Sequence, residues 1–203
     1  MTFSCHYDNT FYEGQTRVSP LWDVEADTHQ TWTTYTYYKL ETSLENADIA
    51  FSLRDSFVVA KYWTVDYFKY MYASVGRQYS WWYMLYKSRE YLEDQYLNDP
   101  KRSYVTLMHA GQPAGFSIVT DEGNGRSNLA YIGLLPEFRS MGLGKRFLND
   151  CLVHASRQSS RMWVYTTSLD HPRALPMYKA AGFSEIERKQ MSEYFPTSAL
   201  NRE

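Results

Sequence analysis

The chain has 203 residues, 44% hydrophobic and 22% charged, with a formal net charge of −2 at pH 7. That length bounds it to one domain, or one domain with an arm, able to bury a core of its own. The charge balance argues against a nucleic-acid partner, which would call for a strongly basic face, and no run is long and apolar enough to suggest a membrane span.

The first residues, Met1-Thr2-Phe3-Ser4-Cys5-His6, show neither the basic nor the apolar region of a secretion signal. Residues 1–30, with Gly14, Pro20 and scattered acids, read as an arm or an added layer, and residues 31–203 as the domain proper. Trp32 to Glu41 alternates loosely and is rich in Thr and Tyr, which predicts a strand; Phe57 to Tyr62 predicts a second. From Thr64, residues Val65, Phe68, Met71, Tyr72 and Val75 recur at helical spacing, with Gly76 as the stop. The aromatic stretch Arg77-Gln78-Tyr79-Ser80-Trp81-Trp82-Tyr83 follows. Its rings are suited to a cationic or aromatic amine, although core packing is the blander reading for Trp82. Ser88 to Asn98 is expected as a helix that ends before Pro100. Tyr104 to His109 and Ala114 to Thr120 form a hairpin, and Asp121 to Gly125 turns into the next strand, Asn128 to Leu135. Glu122 in that turn is expected to be solvated.

The most informative segment comes next. Leu134-Leu135-Pro136-Glu137-Phe138-Arg139-Ser140-Met141-Gly142-Leu143-Gly144-Lys145 is a strand end, a corner and a glycine-bearing turn. Leu143, Phe147, Leu148, Cys151, Leu152 and Ala155 then mark the buried face of a helix running to about Arg157. A turn of this kind leaves backbone N–H groups at the positive end of a helix dipole and suits a pyrophosphate. Glycine as a mere spacer is the competing reading on the turn alone. A P-loop is excluded because Lys145 is followed by Arg146, and a dinucleotide fingerprint because it needs three glycines and an acidic strand end. Met162 to Thr167 is the next strand. Asp170 then reads as an N-cap and Pro172 as part of the first turn of a helix that Pro176 should kink, with Gly182 at its C′ position. Phe183 to Lys189 is the last strand.

Pro136, Glu137, Arg139, Gly142 and Gly144, together with Ala174, Leu175, Tyr178, Gly182 and Phe183, resemble the two motifs of the GNAT superfamily of N-acetyltransferases. The resemblance covers about Tyr104 to Lys189 well and reaches back more loosely to about Thr34. Ser140 stands where that family usually has glycine, and His171 where an asparagine often contacts the cofactor. The resemblance implies an α/β fold of the α+β kind: a mixed, mostly antiparallel sheet flanked by helices, with a splayed strand pair holding acetyl-CoA.

It implies acetyl transfer from acetyl-CoA, as co-substrate, directly to a primary amine on a small molecule or a protein, with no metal. The implied cofactor-binding residues are Leu134, Leu135, Arg139, Ser140, Met141, Gly142, Leu143, Gly144, Lys145 and His171. The N–H of Leu134 or Leu135 would meet the thioester oxygen, and Tyr178 would be the acid for the departing thiolate. Asp170 with His171 is tempting as a base pair, but no base is assigned; Glu137 belongs to the turn. A non-catalytic acyl-CoA sensor of the same fold is the alternative, and a homodimer built on the arm and the aromatic surface is compatible with either. Cys151 on the buried helix face reads as a core thiol in a reducing cytoplasm.

Overall fold

The computed structural model describes residues 28–41 and 55–196. The proposed arm falls outside the described residues except for residues 28–30, which already belong to the first strand. The elements follow the expected order: β1 (Thr28–Glu41), β2 (Asp55–Ala60), α1 (Val65–Gly76), α2 (Arg89–Tyr91), β3 (Arg102–His109), β4 (Gln112–Gly123), β5 (Arg126–Leu134), α3 (Leu143–Ser156), β6 (Arg161–Thr167), α4 (Ala174–Ala180) and β7 (Ser184–Pro196). Helix α2 continues as a π-helical stretch, Leu92–Leu97. The Oγ of Ser88 accepts from the Tyr91 N–H and caps it, and Thr64 caps α1 in the same way from Tyr67.

Seven strands form one sheet in the order β2-β3-β4-β5-β6-β1-β7. Every pairing is antiparallel except β5 with β6. Two consequences shape the molecule. First, β1 does not neighbour β2; it lies between β6 and β7, antiparallel to both, so β6 and β7 run parallel with α4 crossing over. Second, β5 and β6 pair only at Arg126–Asn128 against Arg161–Trp163. Beyond that register the two strands part.

Helices cover both faces. One core gathers Phe68, Met71, Tyr72 and Val75 of α1 against Tyr104, Phe116 and Ile118. The other packs Phe147, Leu148, Cys151 and Leu152 of α3, with Tyr178 of α4, against Tyr38, Val105, Leu107 and Val164. The helical spacing read in α1 and α3 therefore does mark their buried faces. Cys151 is fully buried, and burial pushes its thiol up to about 12, which makes it an inert core group. No helix among the described residues is long and apolar enough to cross a membrane.

Three local expectations are corrected. Glu122 is not solvated: its carboxylate, in β4, accepts from the Nε of Arg126 at 2.9 Å and the indole N–H of Trp163 at 3.0 Å. Pro176 kinks nothing, because α4 begins at Ala174 and Pro176 falls in the first turn, where its missing N–H would find no helical partner anyway. Asp170 is not the N-cap of α4; that position is Arg173, since the residues after β6 form an extra turn first. Gly182 does sit at the C-terminal end with φ +94°, and the Phe183 N–H reaches back to the Tyr178 carbonyl.

One helix residue predicts a pH effect. Neither ring nitrogen of His154 finds a partner among the described residues, and burial, then the nearby Arg157 and Lys61, hold its pKa below the ordinary value. A histidine depressed in the folded state binds more protons when unfolded, so its contribution is present above about pH 6.5 and is lost as pH falls through the folded pKa. Thermal melts should show the midpoint dropping between roughly pH 7 and 5, and His154→Leu should flatten that slope. The slope will not vanish, since His171 is depressed as well.

Candidate active site

Where β5 and β6 part, a cleft of about 700 Å³ opens, lined by β5, β6, the glycine turn, α4 and the loop after α1. The chain brings backbone to this gap in a usable state. The Leu135 N–H donates to the Ala114 carbonyl at 2.9 Å, so by antiparallel alternation the N–H of Leu134 points the other way, into the gap, while its C=O is taken by Arg139. Of the two backbone donors read from the sequence, Leu134 is open and Leu135 is spoken for.

At the mouth of the cleft, α3 starts from Gly142 with φ +78°, and no side chain caps it. The first-turn amides of Leu143, Gly144 and Lys145 therefore face outward at the positive end of a 14-residue helix. A Cβ at Gly142 would meet nothing within 4 Å, which leaves room for a ligand over that turn. This is the arrangement in which backbone binds phosphate.

Ser140 shares the left-handed conformation, φ +63°, and is exposed. A non-glycine residue there is strained by about 1 kcal/mol, partly offset because glycine loosens the unfolded chain. Ser140→Gly should raise the melting temperature by a degree or two, equivalent to about 0.5 kcal/mol.

The sequence-read residues divide. Leu134, Arg139, Ser140, Gly142, Gly144, Lys145, His171 and Tyr178 line the cleft. Leu135, Met141 and Leu143 do not: Leu135 and Leu143 are buried, and Met141 is an exposed side chain, 53% accessible. Arg139 is there but occupied. Its guanidinium donates to the carbonyls of Leu134 and Val75 and to the Tyr79 hydroxyl, each at 3.2 Å. It ties the turn to α1 and lends the cleft a positive charge without spending its N–H groups outward.

His171 has its Nδ1 accepting from the Arg173 N–H at 3.0 Å, and its ring meets Tyr79 edge-on. Burial, then Arg139 and Arg173, lower its pKa, so the ring is neutral near pH 7. With Nδ1 accepting, the ring proton sits on Nε2, which is then a donor and a poor base. Tyr178 is buried on α4, edge-on to Phe183, and burial followed by the Asp170 charge pushes its phenol far up.

Asp170 has a role that sequence reading missed. Its Oδ2 accepts from the Thr166 hydroxyl and the Thr167 N–H, both at 2.8 Å, and its Oδ1 from the indole N–H of Trp81 at 3.2 Å. That last bond joins the α1–α2 loop to the β6–α4 turn across the cleft. Trp81 packs over Gly76, where a Cβ would come within 2.2 Å of the ring, and edge-on to Tyr131. Of the tryptophan pair Trp81 is thus the more closely packed, while Trp82 carries the Arg77 guanidinium at 5.2 Å.

A mixed sheet split at a parallel pair, with an uncapped helix N-terminus at the split, has the form of the GNAT acetyltransferase fold. The sequence profile of the Acetyltransferase (GNAT) family matches residues 68–183, more than half of the chain, and the chain belongs to that family. No curated protein matches it in sequence. Among solved structures it is similar to a functionally unknown conserved protein from Staphylococcus epidermidis (13% identity, TM-score 0.60, covering 82% of this chain and 63% of that one). It is also similar to a putative GNAT-family acetyltransferase from Novosphingobium aromaticivorans (8%, 0.57, 84% and 68%). A third is a tandem GNAT protein from the clavulanic acid biosynthesis pathway (16%, 0.55, 84% and 55%). The chain spans less than two thirds of the first and third of these, and at such identities the likeness is one of fold.

Proposed function

We propose that this protein is an N-acetyltransferase that moves an acetyl group from acetyl-CoA directly to a primary amine. The observation that carries the reading is the opening of the sheet after Asn128, with the Leu134 N–H on one wall and the uncapped start of α3 at its mouth. The amides of Leu143 to Lys145 and the Lys145 side chain would hold the pyrophosphate, with Ser140 and Gly142 shaping the turn. Backbone of Ile132 to Leu134 would pair with an extended pantetheine as a strand pairs at a sheet edge.

The thioester supplies an activated acyl group; the chain supplies position and charge. The N–H of Leu134 is placed to stabilise negative charge developing on the carbonyl oxygen. Tyr178 donates its hydroxyl hydrogen toward the departing sulfur. An alkyl ammonium must first lose a proton, which costs about 4–5 kcal/mol at pH 7, at 1.36 kcal/mol per pKa unit. Bulk water would take that proton and the one the nitrogen sheds as the C–N bond forms and the C–S bond breaks, and CoA would leave as a thiolate that regains a proton from water. Among the described residues no cluster of His, Cys, Asp or Glu is arranged to hold a metal, and the proposed transfer uses none.

Calorimetric titration with acetyl-CoA, followed by free-thiol release over a panel of amines, tests the proposal. Binding with amine-dependent thiol release is the expected result. Binding without release on any amine would favour an acyl-CoA sensor, and no binding would overturn the reading of the turn.

A further inference from the structure

The cleft carries one acidic group that no cation among the described residues pairs with. Asp170 is the sole acidic residue among the described residues that line the cleft. Several other carboxylates of the fold have cationic partners: Asp55 pairs with Arg146, Glu122 with Arg126 and Asp99 with Arg102. Asp170 takes part in no ion pair among the described residues. Its three partners are neutral donors, two on Oδ2 and one on Oδ1, so Oδ1 keeps a lone pair for another donor. The carboxylate is partly withdrawn from water, and a carboxylate so placed is costly until a cation meets it.

Its surroundings are aromatic. Trp81, which holds Oδ1, stands edge-on to Tyr131, and Tyr79, Trp82 and Tyr165 line the same cleft. Aromatic faces beside a carboxylate bind organic ammonium groups by cation–π attraction added to the ion pair. The protein does this with its own side chain nearby: the Lys87 ammonium lies 4.2 Å from the Tyr83 ring centre and 4.5 Å from that of Tyr91. Arg139, Lys145 and Arg173 line the same cleft, from the glycine turn, the start of α3 and the start of α4, and among the described lining residues a second positive charge on the acceptor would find no further carboxylate.

We infer that the acceptor is a monoammonium compound whose primary amine sits on an aromatic or similarly apolar body, with Asp170 as the counter-ion that places its nitrogen and the Trp81–Tyr131 face as the bed for its body. This rests on the acetyl-transfer reading and narrows its acceptor; polyamines and lysines in basic segments are disfavoured. Asp170 acts here by binding and orienting.

The test is equilibrium binding followed by tryptophan fluorescence, on the full chain with and without saturating CoA. The probes are 2-phenylethylamine, its uncharged isostere 2-phenylethanol, and spermidine. The ammonium should bind at least about tenfold more tightly than the alcohol, a difference of about 1.4 kcal/mol, and more tightly than spermidine. Asp170→Asn should bring the amine-to-alcohol ratio close to one while the calorimetric acetyl-CoA affinity stays within about threefold. Should that variant fail to fold, because its amide opposes the Trp81 N–H, the wild-type ratio alone decides. Equal binding of amine and alcohol, a preference for spermidine, or no binding of either phenyl compound would overturn the inference. A protein that binds acetyl-CoA but fails these comparisons keeps the donor half of the proposal; one that passes them without binding acetyl-CoA loses the donor half and keeps the ammonium site.

Discussion

Gly142→Asp is expected to cost at least about a hundredfold in acetyl-CoA affinity, or about 2.8 kcal/mol, while leaving the fold in place. Gly142 is the N-cap of α3, and its missing side chain faces open space. A carboxylate there would favour the helix electrostatically by about 0.3–1 kcal/mol. The left-handed backbone would cost an aspartate about 1 kcal/mol, and Asp and Asn tolerate that region better than most. The two nearly cancel, so the melting temperature should move little.

A bound pyrophosphate would meet a like charge at close range, worth about 3–4 kcal/mol per pair at 4–5 Å with an effective dielectric near 20. Gly142→Asn isolates the charge, since it keeps size and backbone strain but adds no negative charge; it should lose less than about tenfold. Calorimetry on both variants beside their melts reads the result. If the aspartate variant binds acetyl-CoA like the wild type, the phosphate is held somewhere else.

That turn was legible because everything it needs is local. The glycines, the strand before and the helix after lie within some thirty residues, and the periodicity of α3 shows in Leu143, Phe147, Leu148 and Cys151, all buried. Gly182 was legible for the same reason, as a short-range backbone requirement. Asp170 was not. An acid two residues before a proline has the local form of an N-cap, whereas this carboxylate turns back to the hydroxyl of Thr166 and the N–H of Thr167 and also takes the distant indole N–H of Trp81, 89 residues away. Glu122 misled in the same way: a turn-like neighbourhood concealed Trp163, 41 residues on. The place of β1 between β6 and β7 had no signal either, because alternation marks a strand and its faces but does not name its neighbours. Arg139 was found by its motif, yet its work lies in the carbonyls of Leu134 and Val75, which a motif cannot show.

Tyr178→Phe is the second large effect, and the structure changes how it should be argued. A phenol as acid for a thiolate would ideally sit near the thiol's own pKa, about 8.5. Burial, then the Asp170 charge, drives Tyr178 well above its ordinary value, so outright proton transfer to a thiolate in water would run uphill. The hydroxyl is then a hydrogen-bond donor that stays protonated throughout and stabilises charge as it gathers on sulfur. Removing one such donor costs roughly 10²–10³ in kcat.

The expected result is a kcat lower by about a hundredfold with acetyl-CoA affinity unchanged, since the ring and its contact with Phe183 remain. The pH profile separates this role from that of a titrating acid: wild-type kcat should show no alkaline loss near pH 10, where an ordinary tyrosine would ionise. A fall of wild-type kcat centred near that pH, absent from Tyr178→Phe, would restore the titrating acid. Wild-type turnover in Tyr178→Phe would remove Tyr178 from the chemistry and leave the charge stabilisation to the N–H of Leu134.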